Sequence, residues 1–160
     1  MDWINWLLDH DVDLRTVVNL GNVAVTACYG QQVDSARLSI VVAAICYEAT
    51  RCQQWAEDGT NTAGRGGTGI ALLTPEQLRD CGANPDHLVD NLFALAKLLI
   101  ESGFERNEQL AVAKLRYGDQ WHCKAAQGYA ALIDYIADSI CTGLELLPDE
   151  FVTGIISTEV

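Results

Sequence analysis

The chain has 160 residues, 49% hydrophobic and 20% charged, a composition that can bury one core and excludes global disorder. Asp plus Glu number 22 against 10 Lys plus Arg, a net charge of −12. That balance excludes a binder that tracks nucleic-acid phosphates with a basic stripe, and a protein drawn to an anionic membrane surface.

Hydrophobic periodicity predicts helices over 3–9, 12–30, 34–57, 75–81, 85–102, 107–117 and 121–143, and the fold class is mainly α. The opening Met-Asp-Trp-Ile-Asn-Trp carries no basic n-region and no small-residue cleavage site, so no signal peptide is expected. The densest apolar run, Leu38 to Tyr47, is half the ~20 residues that a membrane span needs. It reads instead as the centre of a buried helix. Thr74-Pro75-Glu76-Gln77 has the form of a capping box with Pro at the first helical position, and Asn84-Pro85-Asp86 is expected to open the next helix the same way. Leu88, Leu92, Leu95 and Leu99 form one apolar stripe, and Ala125, Tyr129, Leu132, Ile136 and Ile140 form another. One domain over 1–160 is expected: a helical extension at 1–33, a core at 34–143 and an acidic tail at 144–160. Six cysteines lack CxxC spacing and read mainly as reduced thiols, with Cys28, Cys46 and Cys141 acting as small hydrophobes.

The connection from Asp58 to Thr74 stands apart. Five of the thirteen glycines fall between 59 and 69, and the segment ends in the apolar Ile70-Ala71-Leu72-Leu73. A loop of this length in a compact domain is usually functional, and it has room for a short hairpin. Gly64, Gly66 and Gly69 match GxGxxG formally, but a dinucleotide fingerprint must follow a strand and open a helix, and neither condition is met. His87, His122 and Cys123 lack zinc-site spacing. No cofactor or metal is expected.

Glu48 is the most informative residue. Val41, Ile45, Glu48, Cys52 and Trp55 share one helical stripe, so the carboxyl is expected among apolar neighbours, where desolvation keeps a proton available for general acid catalysis. The competing reading is an ion pair with Arg51. Asp58 lies ten residues on, followed by Gly59, Thr60 and Thr62, and reads as a helix terminator. Trp55 is the best placed of the four tryptophans to line a groove.

A buried helix ending in Glu48, a Gly-rich loop, and Gly66-Gly67-Thr68-Gly69-Ile70 running to Pro75 together resemble the lysozyme-like superfamily, in particular the soluble lytic transglycosylases. Leu110-Ala-Val-Ala-Lys-Leu-Arg-Tyr-Gly118 is similar to that family's Ala-Leu-Ala-Ala-Tyr-Asn-Ala-Gly segment. The chain departs from the pattern at Ala49, Leu72, Leu115 and Arg116. The resemblance implies cleavage of the β-1,4 bond between N-acetylmuramic acid and N-acetylglucosamine in a peptidoglycan glycan strand, with Glu48 as general acid. It further implies that backbone groups of Thr68, Gly69 and Ile70 hold the sugar and that Tyr117 faces it. A phage-type lysozyme using Asp58 is the alternative chemistry. A non-catalytic helical structural or partner-binding protein is the alternative class. With no leader expected, an enzyme carried by a virion or delivered by a secretion machine fits better than one that exports itself.

Overall fold

The computed structural model describes residues 2–53 and 59–143, and the fold is mainly α. In chain order the elements are α1 (Asp2–Asp9), α2 (Leu14–Ala27), α3 (Ser35–Thr50), β1 (Gly59–Thr60), β2 (Gly66–Gly67), α4 (Pro75–Asp80), α5 (Leu88–Glu101), α6 (Glu108–Tyr117) and α7 (Lys124–Thr142). The expected tail at 144–160 lies outside the described residues. Among the described residues no helix is long and apolar enough to cross a membrane.

α3 is the central helix. Leu38 to Cys46 are all buried, so the helix has no polar face along its middle. It packs chiefly on α7 and α2, while α5 lies mainly against α2 and touches α3 less. The segment expected as an N-terminal extension joins this core: Trp6, Leu7, Leu20, Val23 and Ala24 belong to the same apolar cluster as Ile45, Leu95 and Ile136. At the polar rim Arg37 of α3 forks onto Glu108 of α6, at 2.7 and 2.8 Å, and reaches Asp134 of α7 at 3.4 Å. The paired donors match the planar carboxylate, so this contact fixes direction as well as charge.

Two helix boundaries differ from expectation. The helix expected to run to 57 ends at Thr50. Arg51 and Cys52 are both left-handed, at φ 57° and 60°. The Arg51 N–H makes a regular helical bond to Tyr47 O at 2.9 Å and the Cys52 N–H reaches back to Cys46 O at 3.2 Å, so the left-handed pair turns the chain out of the helix with both donors satisfied. Burial of Cys52, 3% exposed, holds this turn. Cys52 therefore lies beyond α3, and Trp55 lies outside the described residues. Pro85, expected to open a helix, sits in a turn instead. Asn84 Oδ1 accepts from the Asp86 N–H at 3.0 Å, and α5 begins only at Leu88. Asn prefers this local bond to its own backbone over a helical cap. The capping box of α4 is formed as its sequence implies: the Gln77 N–H donates to Thr74 Oγ1, and the Thr74 N–H to Gln77 Oε1.

All six cysteines are free thiols. Cys28 and Cys46 are buried, as expected of small hydrophobes, but Cys141 is exposed near the end of α7.

Candidate active site

The last turn of α3 carries Glu48 out of the core to its rim, where the residue is half-buried. Leu38 to Cys46 before it are buried, and Tyr47 to Thr50 form the partly exposed last turn. The Arg51 guanidinium does not pair with the carboxylate. It donates to the main-chain oxygens of Tyr47, at 2.8 Å, and Glu48, at 3.3 Å, and lies over the Tyr47 ring. Among the described residues Glu48 forms no ion pair.

The partner of Glu48 comes from the glycine-rich connection. β1 and β2 pair antiparallel, Gly59 opposite Gly67 and Thr60 opposite Gly66, so the expected hairpin is present. Its loop is shaped by Asn61, whose Oδ1 accepts from the N–H groups of Ala63, at 3.1 Å, and Arg65, at 3.2 Å, while its own N–H donates to Arg65 O. This Asx turn points Thr62 at α3, and Thr62 Oγ1 donates to Glu48 Oε1 at 2.6 Å. Tyr117, from the end of α6, donates its hydroxyl to Thr62 O at 3.3 Å. Burial raises the Tyr117 hydroxyl above its ordinary pKa, with the charges of Cys123 and Glu48 adding to it. The phenol is therefore a neutral donor at physiological pH.

Below this group the second half of the connection is tied down. Arg116, 1% exposed, donates through Nη1 to Leu72 O at 3.0 Å, through Nη2 to Ala71 O at 2.5 Å, and through Nε to Tyr129 Oη at 3.1 Å. Thr50 Oγ1 lies 2.6 Å from Ile70 O. The Thr68 N–H donates to Leu73 O, and the Leu72 N–H to Gly69 O. Gly67 and Gly69 are both required. A Cβ at Gly67 would fall on the Leu72 carbonyl, and Gly69 has φ 79° with its Cα against the Asn91 amide.

Of the residues singled out in the sequence, Glu48 and Tyr117 converge on Thr62. Thr68, Gly69 and Ile70 lie deeper in the same connection. Thr68 lines a cavity of about 370 Å³ beside the hairpin, with Gly59, Thr60, Gly66, Gly67 and Pro75. Gly69 and Ile70 border a different cavity, about 360 Å³, at the start of α5 with Arg15, His87 and Asn91, and Glu48 is not part of it. Asp58 and Trp55 lie outside the described residues. Asn61 and Thr62, the latter noted only as following Asp58, and Arg116 were not among the candidate site residues of the sequence. The Asn-Thr-Ala-Gly turn signature marked the first two. Arg116 stood out only as a departure from a motif. Among the described residues no group of three or more His, Cys, Asp or Glu side chains is placed to hold a metal ion.

Comparison of the chain with protein-family models, with curated proteins and with solved structures finds no match.

Proposed function

We propose that this chain cleaves the glycan strand of peptidoglycan at the β-1,4 bond between N-acetylmuramic acid and N-acetylglucosamine, with Glu48 as general acid and a lytic-transglycosylase outcome. The observation that carries the reading is the Glu48–Thr62–Tyr117 arrangement: the carboxylate of a half-buried residue that forms no ion pair among the described residues, with one oxygen held by an exposed threonine hydroxyl. A structural carboxylate at a helix end ordinarily takes the nearby arginine, and here Arg51 is occupied by main-chain oxygens. With Oε1 accepting from Thr62, the transferable proton belongs on Oε2. Protonation of the glycosidic oxygen by Oε2 breaks its bond to C1 of the muramic acid. The muramic acid C6 hydroxyl then bonds to C1 and returns its proton to the Glu48 carboxylate, which closes a 1,6-anhydro ring and regenerates the acid. Tyr117 restrains the hairpin that carries Thr62, and so positions Glu48 without touching the reacting atoms.

Purified peptidoglycan digested by the wild-type chain should yield 1,6-anhydro muropeptides by mass spectrometry. Glu48→Gln removes the proton while keeping side-chain shape, and should lower turnover at least ~10²-fold with an unchanged melt. A reducing-end product with a large loss in Asp58→Asn would replace the transglycosylase by an inverting hydrolase. Absence of activity on peptidoglycan of several wall types, or full activity in Glu48→Gln, would overturn the enzymatic reading in favour of a helical structural or partner-binding protein.

A further inference from the structure

α2 is apolar on two sides. Its inner side buries Thr16, Val17, Leu20, Val23 and Ala24. On another side Leu14 is 63%, Val18 50% and Val25 63% exposed, and Tyr29, just past the helix end, is 90% exposed. At 100° per residue Leu14, Val18, Gly21 and Val25 fall within a roughly 60° arc that does not overlap the buried one. Their steps of four, three and four are those of a two-helix seam, and the Trp3 ring of α1 packs beside Gly21 within it. A helix apolar on two sides is ordinarily covered on both.

We propose that this stripe is a self-association surface, on which α2 of a second copy packs antiparallel about a two-fold axis between Gly21 and Asn22. Two observations select a second copy. First, the stripe is self-complementary. A two-fold axis at that point sets Leu14 opposite the partner copy's Tyr29 and Val18 opposite its Val25, so every large exposed side chain meets another. Second, the charges permit it. The chain carries net −12, yet Thr16 to Val33 contains no charged residue at all. Two such polyanions can approach along this strip without opposing carboxylates, whereas like charges face to face oppose association elsewhere on the surface. Antiparallel packing also sets the positive end of each helix dipole beside the negative end of the other. It brings Arg15 of each copy next to the aromatic ring of Tyr29 of the other, a favourable cation–π geometry.

Sedimentation velocity across a concentration series tests this on the full chain. The wild type should shift from monomer to dimer as concentration rises. Val18→Glu alone or Val25→Arg alone should weaken the dimer at least ~10-fold, because each buries an unpaired charge in the seam. The double variant Val18→Glu/Val25→Arg should restore it, since the two-fold axis sets each glutamate against the partner copy's arginine. Both positions are exposed in the monomer, so melts should stay at the wild-type value. A wild type monomeric at every concentration overturns the proposal. So does a dimer indifferent to the single changes, or a double variant that fails to recover. A monomer that begins to dimerise only when residues 144–160 are deleted would make that segment the occupant of the stripe, and would equally overturn it.

Discussion

Arg116→Met is the sharpest test of how the site is held. The side chain is 1% exposed and its guanidinium serves Ala71 O, Leu72 O and Tyr129 Oη. Methionine replaces the stem as far as Nε and removes a buried cation, whose desolvation cost of several kcal/mol is recovered. Against that, two main-chain carbonyls and a phenol lose charge-assisted bonds. Each stranded acceptor costs about 1–3 kcal/mol, and each lost bond to a charged donor about 1.5–3 kcal/mol. Leu72 is also left-handed, at φ 49°, a conformation that costs about 1–2 kcal/mol and that these bonds help to maintain. The losses outweigh the gain, and a net destabilisation of about 3–5 kcal/mol is expected, a large share of a typical ~5–15. For a chain of this length that corresponds to a fall in Tm of roughly 6–20 °C. Urea unfolding gives the free energy, and hydrogen exchange at the Thr68 and Leu72 amides, bonded to Leu73 O and Gly69 O, reports whether the turn opens first. Arg116→Lys keeps the charge but presents a compact head that cannot span three acceptors, so it should fall between the two. A methionine variant within about 1 kcal/mol of wild type, with the same exchange pattern, would refute the claim that these bonds fix the connection.

Three further outcomes follow from local geometry. Gly67→Ala drives a methyl into the Leu72 carbonyl and should cost about 1–3 kcal/mol in chemical denaturation while also lowering any Glu48-dependent activity, because the hairpin register shifts. Burial pushes the Cys46 thiol up to about 12, against the opposing charge of Arg116, and burial also raises Cys52. A disulfide reagent at mildly alkaline pH should therefore modify exposed Cys141 in the native state and reach Cys46 and Cys52 only on unfolding. Burial, reinforced by Asp138, raises the Asp134 carboxyl above its ordinary value. The folded state then retains a proton that the unfolded chain has released, so this group lowers stability as pH rises above the ordinary carboxylate range. Asp134→Asn abolishes that slope, and its Tm relative to wild type should climb as pH rises above the ordinary carboxylate value of about 4.

The sequence by itself determined the helical class and most of the helix faces. Leu88, Leu92, Leu95 and Leu99 are all buried in α5, and Tyr129, Leu132, Ile136 and Ile140 in α7, because burial of one stripe is a property of spacing alone. The capping box at Thr74 was legible for the same reason: both partners lie within four residues. That Glu48 lies on the buried central helix was also readable. The length of that helix was not. Its stop goes with the burial of Cys52, whose thiol donates to Ala43 O of α3, across two consecutive left-handed residues that local propensity disfavours. The partner of Glu48 was likewise decided in three dimensions. Thr62 is fourteen residues away, and it arrives only because the hairpin folds back and Tyr117, fifty-five residues further on, anchors it. Arg116 looked like a broken motif, since no local pattern reveals that its guanidinium replaces main-chain partners for Ala71 and Leu72. Short-range bonds and periodic burial are encoded in neighbours along the chain. Contacts across dozens of residues depend on the packed arrangement of whole helices, and only the tertiary structure supplies that.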